Sequence, residues 1–385
     1  MELGFGKKTR RAYGLDEIAL VPSLKTVDPD DTDPSVEISS IKMQIPIFGA
    51  AMDGVISPDT AILFGKLGGV GVLNLQGVWS RYNDAKSILR KIASIDREEY
   101  VSFMQKVYKE PIKENLIEKC IAKIKASGAP TVVSSTPQVA EKYVKIAEDS
   151  GADAFLIQST VISTQHYSKK ETILDLKKLC SKTSIPIMVG NCVSYEVAQD
   201  LIQTGVKAVF VGIGPGAACT TRGVLGIGVP MATAISDCIL ARDEYYKKTK
   251  KYVSIVADGG MTSSGDICKA IACGADAVMI GSPFAKAKEA PGNGFHWGMA
   301  TPNAVLPRGT RIKVGTIGSL ESILRGPAIY DDGSQNFHGA IKTAMGTLGV
   351  STIKEMQQVE VVIAPSLLTE GKVYQKAQQL GMYKG

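Results

Sequence analysis

Eight short apolar runs, separated by segments of helical periodicity, predict that the chain folds as a (β/α)8 TIM barrel of the α/β class. The runs are nearly continuous in apolar residues, as expected of parallel strands that are buried on both faces. Several intervening helices end in a Gly-Ala-Asp or Gly-Val-Lys step, where glycine turns the chain into the next strand. The predicted strands are 45–50, 69–75, 131–135, 154–158, 185–190, 208–212, 253–257 and 277–280.

The predicted helices follow these strands at the intervals that a strand–helix repeat requires. Their apolar residues recur with the period of one helix face, and the turn glycines are Gly151, Gly205 and Gly274. Examples are the helices at 139–149, 173–180, 197–203, 232–246 and 265–272. The whole chain, residues 1–385, is therefore predicted to form one barrel domain.

Three regions depart from the plain repeat. Residues 76–130 are helical, charge-rich and without a predicted strand, whereas residues 284–340 are loop-like and rich in Gly and Pro. A long irregular loop beside the C-terminal end of a barrel strand is usually functional, so we expect a flap at 284–340. The tail, 341–385, is predicted to continue a helix and to end in polar, Lys-rich turns.

Composition excludes several classes of protein. The 385 residues are 44% hydrophobic and 21% charged, which is ordinary for a globular protein with a large core. A net charge of +6 and 6% aromatic residues do not indicate a nucleic-acid-binding surface. No apolar stretch approaches the ~20 residues of a membrane span. Seven cysteines without a secretory signal predict reduced thiols and a cytoplasmic protein, and three scattered histidines predict no structural metal site.

Cys219 lies on a glycine-rich loop directly after the sixth predicted strand. Glycines at 212, 214 and 216 allow the backbone to turn tightly and to approach a ligand. A thiol held in such a loop beside backbone dipoles can serve as a nucleophile. The alternative is that Cys219 is a small buried hydrophobic residue, as most free cysteines are.

The loops after the seventh and eighth strands carry the groups that bind phosphate in many barrels. Gly260, Gly281 and Ser282 offer backbone N–H groups and a hydroxyl, and Asp258 can accept hydrogen bonds from ribose hydroxyls. Each glycine alone is more simply a tight turn and Asp258 a helix cap, but two adjacent loops together favour a phosphate site. Asp53 and Asn191 follow the first and fifth strands at the same end of the predicted barrel.

These motifs, in their order and spacing, resemble the IMP dehydrogenase / GMP reductase family. They are GAAMD at 49–53, VGN at 189–191, GIGPGAACTTR at 212–222, ADGG at 257–260, MIGS at 279–282 and GSL at 318–320. The usual IMP dehydrogenase carries two CBS modules between barrel elements two and three. Residues 76–130 are too short for both, so the chain resembles the related branch that lacks CBS modules.

The resemblance implies an IMP dehydrogenase that oxidises IMP to XMP with NAD, acting as a homotetramer. Cys219 would attack C2 of the purine, with Thr221 positioning or relaying a proton, before water hydrolyses the covalent adduct. Met52, Asp258, Gly260, Gly281 and Ser282 would hold the substrate. Gln158, Ser159, Asn191 and Gly212 would lie at the cofactor, and the carbonyls of Gly214, Gly216 and Cys219 would bind a monovalent cation such as K+.

The chain also departs from the family pattern. Gln158 stands where an Asp usually holds the cofactor ribose, Phe210 where a basic residue is expected, and Ala217 where a serine often contacts phosphate. The adjacent Arg-Tyr pair that activates water in the flap has no counterpart between Ser319 and Gly333. Arg325 is our prediction for the water-activating base, although a guanidinium rarely loses its proton.

Two other functions compete with the dehydrogenase. A GMP reductase would run similar covalent chemistry with NADPH and release ammonia, and the cysteine loop occurs in both branches. The Gly281-Ser282 and Gly318-Ser319 steps resemble the dehydrogenase more. The altered flap and cofactor positions motivate the third hypothesis, a catalytically quiet purine-nucleotide-binding protein, against which the intact Cys219 loop speaks.

Overall fold

The computed structural model describes residues 1–3, 5–169, 173–298, 311–364 and 372–381. Its centre is a closed barrel of eight parallel strands, in which each strand pairs with its neighbours in sequence and the last pairs with the first through Ile280 and Gly49. The (β/α)8 fold predicted from the sequence is therefore confirmed. The strands are β1 Ile47–Gly49, β2 Val70–Asn74, β3 Val132–Ser135, β4 Ala154–Gln158, β5 Ile187–Cys192, β6 Ala208–Val211, β7 Ser254–Asp258 and β8 Ala277–Ile280.

Helices surround the barrel and pack their apolar faces against the outside of the strands. Local sequence fixes several of their starts: Ser263 accepts from the Asp266 amide while the Asp266 carboxylate accepts from the Ser263 amide, a capping box. The helices that follow strands are Pro58–Lys66, Glu114–Ala126, Ala140–Asp149, Leu176–Lys182, Tyr195–Gln203, Thr221–Leu225, Met231–Thr249, Ser264–Ala272 and Ser282–Ala285.

Two cores lie on either side of the strands. Inside the barrel, Phe48 and Phe210 meet edge to face with ring centroids 5.8 Å apart, so Phe210 is part of the apolar filling. An antiparallel hairpin, Val36–Ile38 with Ile41–Met43, packs its buried Ile38, Ile41 and Met43 into the same core. Because the hairpin precedes β1, it fills the N-terminal end of the barrel and leaves the C-terminal end for a site.

The region between β2 and β3 is helical and contains no strand. Helices Ala85–Ser94 and Arg97–Lys109 precede Glu114–Ala126 and form a small apolar core of their own with Trp297. We call residues 78–110 the slot segment, because they occupy the place between the second and third barrel elements.

The regions after β8 are more ordered than the sequence predicts. Phe295–His296 pairs with Ile312–Lys313, and helices follow at Leu320–Leu324 and Phe337–Thr347, so the described part of 284–340 is not all loop. Residues 299–310 of the predicted flap lie outside the described residues. The tail also contains a strand that the sequence does not predict: Val361–Ile363 pairs antiparallel with Ile18–Leu20, after the short helix Ile353–Met356.

The remaining elements are short. Single turns of 3-10 helix occur at Leu15–Glu17, Pro29–Asp31, Val78–Ser80 and Pro137–Val139, and a last helix lies at Val373–Ala377. Within the described ranges, no helix combines the length and the apolar character that crossing a bilayer would require.

Candidate active site

A cavity of about 770 Å³ opens at the C-terminal end of the barrel, and we call it the mouth cavity. Residues at or just after all eight strand ends line it, from Met52 after β1 to Ser282 after β8. Every predicted site residue except Arg325 lies on its wall: Met52, Gln158, Ser159, Asn191, Gly212, Gly214, Gly216, Cys219, Thr221, Asp258, Gly260, Gly281 and Ser282. The fold therefore brings together groups that lie up to 230 residues apart in sequence.

The Cys219 side chain is exposed in this cavity, so it is not part of the hydrophobic interior. Its thiol donates to Thr221 Oγ1 at 3.2 Å, and its backbone N–H donates to the Gly216 carbonyl at 3.0 Å. Thr221 is buried at the start of helix Thr221–Leu225, which fixes its hydroxyl against the sulfur. The geometry presents one thiol to the cavity with a hydroxyl as its hydrogen-bond partner.

Two glycines let the loops of β6 and β7 approach each other. Gly212 has a φ of +148°, and a Cβ there would lie 2.2 Å from the Asp258 carbonyl oxygen. Gly260 has a φ of +78°, and a Cβ there would lie 2.8 Å from the Pro215 Cβ. A side chain at either position would separate the thiol loop from the Asp258 loop.

Asp258 ends β7 and is held by neutral amides from two other strands. Asn191 Nδ2 and Gln158 Nε2 each donate to Asp258 Oδ2 at 2.7 Å, and Gln158 Nε2 also lies 3.2 Å from Asn191 Oδ1. Burial raises the pKa of Asp258 to about 6, although the bonds from Asn191 and Gln158 work against the rise. The carboxylate is thus fixed without a cation.

Ser282 has a partner that the sequence does not reveal. Its hydroxyl lies 3.1 Å from Nε2 of His296, which also lines the mouth cavity and is almost fully buried. Burial lowers the pKa of His296 to about 4, so the imidazole is neutral at pH 7. Its Nδ1 is buried with no hydrogen-bond partner among the described residues. In sequence His296 is one of three isolated histidines and gives no signal.

Asp53 lies behind the cavity wall. It is buried, and its Oδ2 accepts from the Val78 amide at 2.8 Å and from the Tyr108 hydroxyl at 2.7 Å. Burial raises the pKa of Asp53 to about 6, opposed by Tyr108, by Val78 and by nearby Arg81. Asp53 thus joins β1 to the slot segment.

Arg325 is not in the mouth cavity, which corrects the prediction that it activates water there. Its guanidinium donates to the Leu67 carbonyl at 2.9 Å and to the Gln44 side chain. Both partners precede barrel strands, so Arg325 lies towards the end of the barrel opposite Cys219. The reason is that helix Leu320–Leu324 leads the chain away from the strand ends before Arg325 is reached.

The fold and the cavity together define a (β/α)8 barrel that presents a cysteine beside predicted ribose and phosphate loops. Residues 12–374 match the family described as "IMP dehydrogenase / GMP reductase domain". The chain belongs to this family, and between β2 and β3 it carries the two α-helices of the slot segment and no CBS module.

Relatives agree with this assignment. The chain is 36% identical over 372 residues to an uncharacterized oxidoreductase of Mycolicibacterium smegmatis, covering 94% of this chain and 99% of that protein. It is 28% identical over 480 residues to the inosine-5'-monophosphate dehydrogenase of Methanocaldococcus jannaschii, covering 93% and 94% of the two chains. The crystal structure of an IMP dehydrogenase/GMP reductase-like protein from Corynebacterium glutamicum superposes with a TM-score of 0.89 at 35% identity, covering 94% and 97%.

Proposed function

We propose that the protein is an IMP dehydrogenase, an oxidoreductase that converts IMP to XMP with NAD as the oxidant. One observation carries the proposal: an exposed Cys219 thiol, bonded to Thr221, shares a cavity with Asp258 and the glycine loops after β7 and β8. A nucleophile and an anion-binding region in one cleft suit covalent chemistry on a nucleotide.

Cys219 adds to C2 of the purine as a thiolate, which makes that carbon tetrahedral and able to release hydride. A bound NAD would supply the acceptor for the hydride at C2, and Cys219 would then hold the oxidised purine as a thioimidate on its sulfur. Water adds to C2, the C–S bond breaks, and XMP and the free thiol result. Thr221 lies within hydrogen-bond reach of the sulfur, where its hydroxyl can hold or relay a proton.

The other wall residues hold the nucleotide in this proposal. Asp258, once ionised, accepts hydrogen bonds from the ribose hydroxyls with the carboxylate that Asn191 and Gln158 orient. Gly260, Gly281 and Ser282 take the phosphate with backbone N–H groups and a hydroxyl, and Met52 packs at the base. Charge-assisted hydrogen bonds of this kind give roughly 1.5–3 kcal/mol each.

The cofactor would lie on the side of the cavity formed by Gln158, Ser159, Asn191 and Gly212. Gln158 fits this role with one atom only, because its Nε2 is committed to Asp258 while its Oε1 is buried and without a partner among the described residues. The proposed K+ site consists of the backbone carbonyls of Gly214, Gly216 and Cys219. Of these, the Gly216 carbonyl also accepts a hydrogen bond from the Cys219 amide. No step above depends on a bound cation.

The proposal is tested by incubating the protein with IMP and NAD, and separately with GMP and NADPH, while nicotinamide absorbance is followed. We expect NADH formation in the first mixture and XMP as the product. Turnover in the second mixture alone would establish the reductase, and turnover in neither would favour a quiet nucleotide-binding protein.

The matched variant is Cys219→Ser, which replaces the thiol with a hydroxyl of similar shape. We expect it to bind IMP with an affinity close to that of the unaltered protein and to lose turnover by at least about a thousandfold, because the covalent step is removed. Substantial residual turnover would rule out the covalent route. A cytoplasmic homotetramer, as the family resemblance implies, completes the proposal, and sedimentation would measure the assembly.

A further inference from the structure

The Tyr108 hydroxyl bridges two walls of the mouth cavity. It donates to Asp53 Oδ2 at 2.7 Å and accepts from Trp297 Nε1 at 2.7 Å. Asp53 and Trp297 are both almost fully buried. An ionised Asp53 can only accept, and an indole can only donate, so the direction of both hydrogen bonds is fixed. A tyrosine hydroxyl is suited to this position because it can donate and accept at once.

Each residue that Tyr108 contacts is next to the cavity lining. Met52 precedes Asp53, and His296 and Gly298 flank Trp297 on both sides. His296 in turn lies against Ser282, which belongs to the predicted phosphate loop. One hydroxyl on the slot segment therefore links the β1 wall to the 296–298 wall, beside the direct contact in which the Gly292 amide donates to the Gly54 carbonyl at 3.1 Å.

A second contact ties the returning strand to the same segment. The Arg311 guanidinium donates to the carbonyls of Ile92, Ala93 and Ile95, at the end of helix Ala85–Ser94. Carbonyls at a helix C-terminus lack partners within the helix, so Arg311 satisfies groups that would otherwise need water. Its guanidinium also lies over the rings of Tyr100 and Phe295, at 4.8 and 4.6 Å from their centroids.

Apolar packing holds the bridge in place. The Trp297 ring is packed in the core of the slot segment with residues from both of its helices, among them Leu89 and Met104. Arg81 lies over the Tyr108 ring at 5.7 Å and donates to the carbonyl of Gln76, another lining residue. The slot segment is thus in contact with both sides of the cleft.

We propose that Tyr108 is a positioning residue for nucleotide binding, and that the slot segment holds the β1 wall and the wall carrying His296 in their relative positions through the hydrogen bonds of Tyr108. The inference rests on the proposed function insofar as a purine nucleotide occupies the cavity. It does not require the dehydrogenase direction, because the binding of IMP and of GMP can each be measured without turnover.

The test compares Tyr108→Phe with Tyr82→Phe, both in the Cys219→Ser protein so that no chemistry intervenes. Tyr82 belongs to the same segment, and its hydroxyl donates to the Val107 carbonyl at 3.0 Å without reaching the cavity. By calorimetry we expect Tyr108→Phe to weaken binding of IMP or GMP roughly tenfold, because the hydroxyl that makes both hydrogen bonds of the bridge is lost, and Tyr82→Phe to change it less than about twofold. Equal effects in the two variants would overturn the proposal.

Tryptophan fluorescence gives a readout that a loss of stability alone would not move. The chain has two tryptophans, so a Trp79→Phe background leaves Trp297 as the reporter. We expect nucleotide to change Trp297 emission, and Tyr108→Phe to shift the emission of the free protein and reduce that change. An unaltered emission in a folded Tyr108→Phe protein would contradict the bridge.

A third variant keeps the inference testable if Tyr108→Phe does not fold. Trp297→Phe removes the indole donor and keeps an aromatic ring in the same core. It should weaken nucleotide binding by a similar factor, and combining both changes should add little, because they remove one shared hydrogen bond. Additive losses would show that the two residues act separately. If the parent Cys219→Ser protein itself binds no purine nucleotide, the proposed function is wrong. That result would not contradict the hydrogen-bonded bridge from Asp53 through Tyr108 to Trp297.

Discussion

Two aspartates at opposite ends of neighbouring strands, one buried and one partly exposed in the mouth cavity, show how the barrel uses the same group for different purposes. Asp276 precedes β8 at the N-terminal end, and Asp258 ends β7 at the C-terminal end. Asp276 accepts from Lys354, Tyr252, Gln357, Arg242 and the Ile255 amide. Asp258 accepts from two neutral amides.

The difference appears in the pKa of each carboxyl. Burial alone would raise the pKa of Asp276, but Lys354 and Arg242 outweigh it and hold that pKa below its usual range. Burial raises the pKa of Asp258 to about 6, because no cation opposes it. A carboxylate whose charge is already neutralised stabilises the fold, whereas one held only by amides keeps its charge for a ligand.

The largest expected effect is on stability at the N-terminal end. Asp276→Asn removes the buried one of the two carboxylates that pair with the buried Arg242, and we expect the free energy of unfolding at pH 7 to fall by about 3 kcal/mol or more. Asp243→Asn removes the other carboxylate of the same arginine, which is about half exposed, and should cost less than about 1 kcal/mol. Urea unfolding measures the free energy of unfolding of both variants. Similar losses in the two would contradict the structural role assigned to Asp276.

The next effect is on ligand binding at the other end. Asp258→Asn should weaken IMP binding by about a hundredfold or more, because two charge-assisted bonds to the ribose are lost. Its unfolding free energy at pH 7 should stay equal or rise, since the raised pKa means that ionising Asp258 costs stability as pH increases through about 6. A large loss of stability with unchanged IMP binding would show that Asp258, like Asp276, stabilises the fold and does not bind the ligand.

The smallest effect sharpens the role of the amides. Nucleotide affinity should fall as pH decreases below about 6, where Asp258 takes up a proton. Gln158→Leu removes one donor, so the pKa of Asp258 rises further and the decline should begin about one pH unit higher. Gln199→Leu, which removes a bond to Tyr195 away from the cavity, should leave the profile unchanged. If the pH dependence of nucleotide affinity is unchanged in Gln158→Leu, the group that titrates is not Asp258.

Sequence patterns could predict the barrel and the positions at the strand ends, because both depend on local signals. A continuous apolar run followed by glycine and one polar residue indicates both the strand and the place of the side chain after it. Cys219, Asp258 and Ser282 were found in this way, and all three line the mouth cavity.

Contacts between distant segments could not be predicted. Tyr108 is 55 residues from Asp53 and 189 from Trp297, and nothing in its own helix distinguishes it from other half-buried aromatic residues. The strand at Val361–Ile363 acquires its partner only when Ile18–Leu20 lies beside it. The prediction for Arg325 is wrong because it rests on residue type between Ser319 and Gly333, whereas helix Leu320–Leu324 leads this stretch of chain away from the mouth cavity.

In the described part of the chain, the hairpin of Ile38, Ile41 and Met43 fills the N-terminal end of the barrel, and the mouth cavity opens at the C-terminal end. Two ligands that share the mouth cavity must arrive and depart through the same opening, so the one lying deeper is trapped while the outer one stays. Steady-state kinetics should therefore follow a compulsory order. The product released first should be the one bound nearer the opening. It should inhibit in competition with the ligand that binds at that outer position.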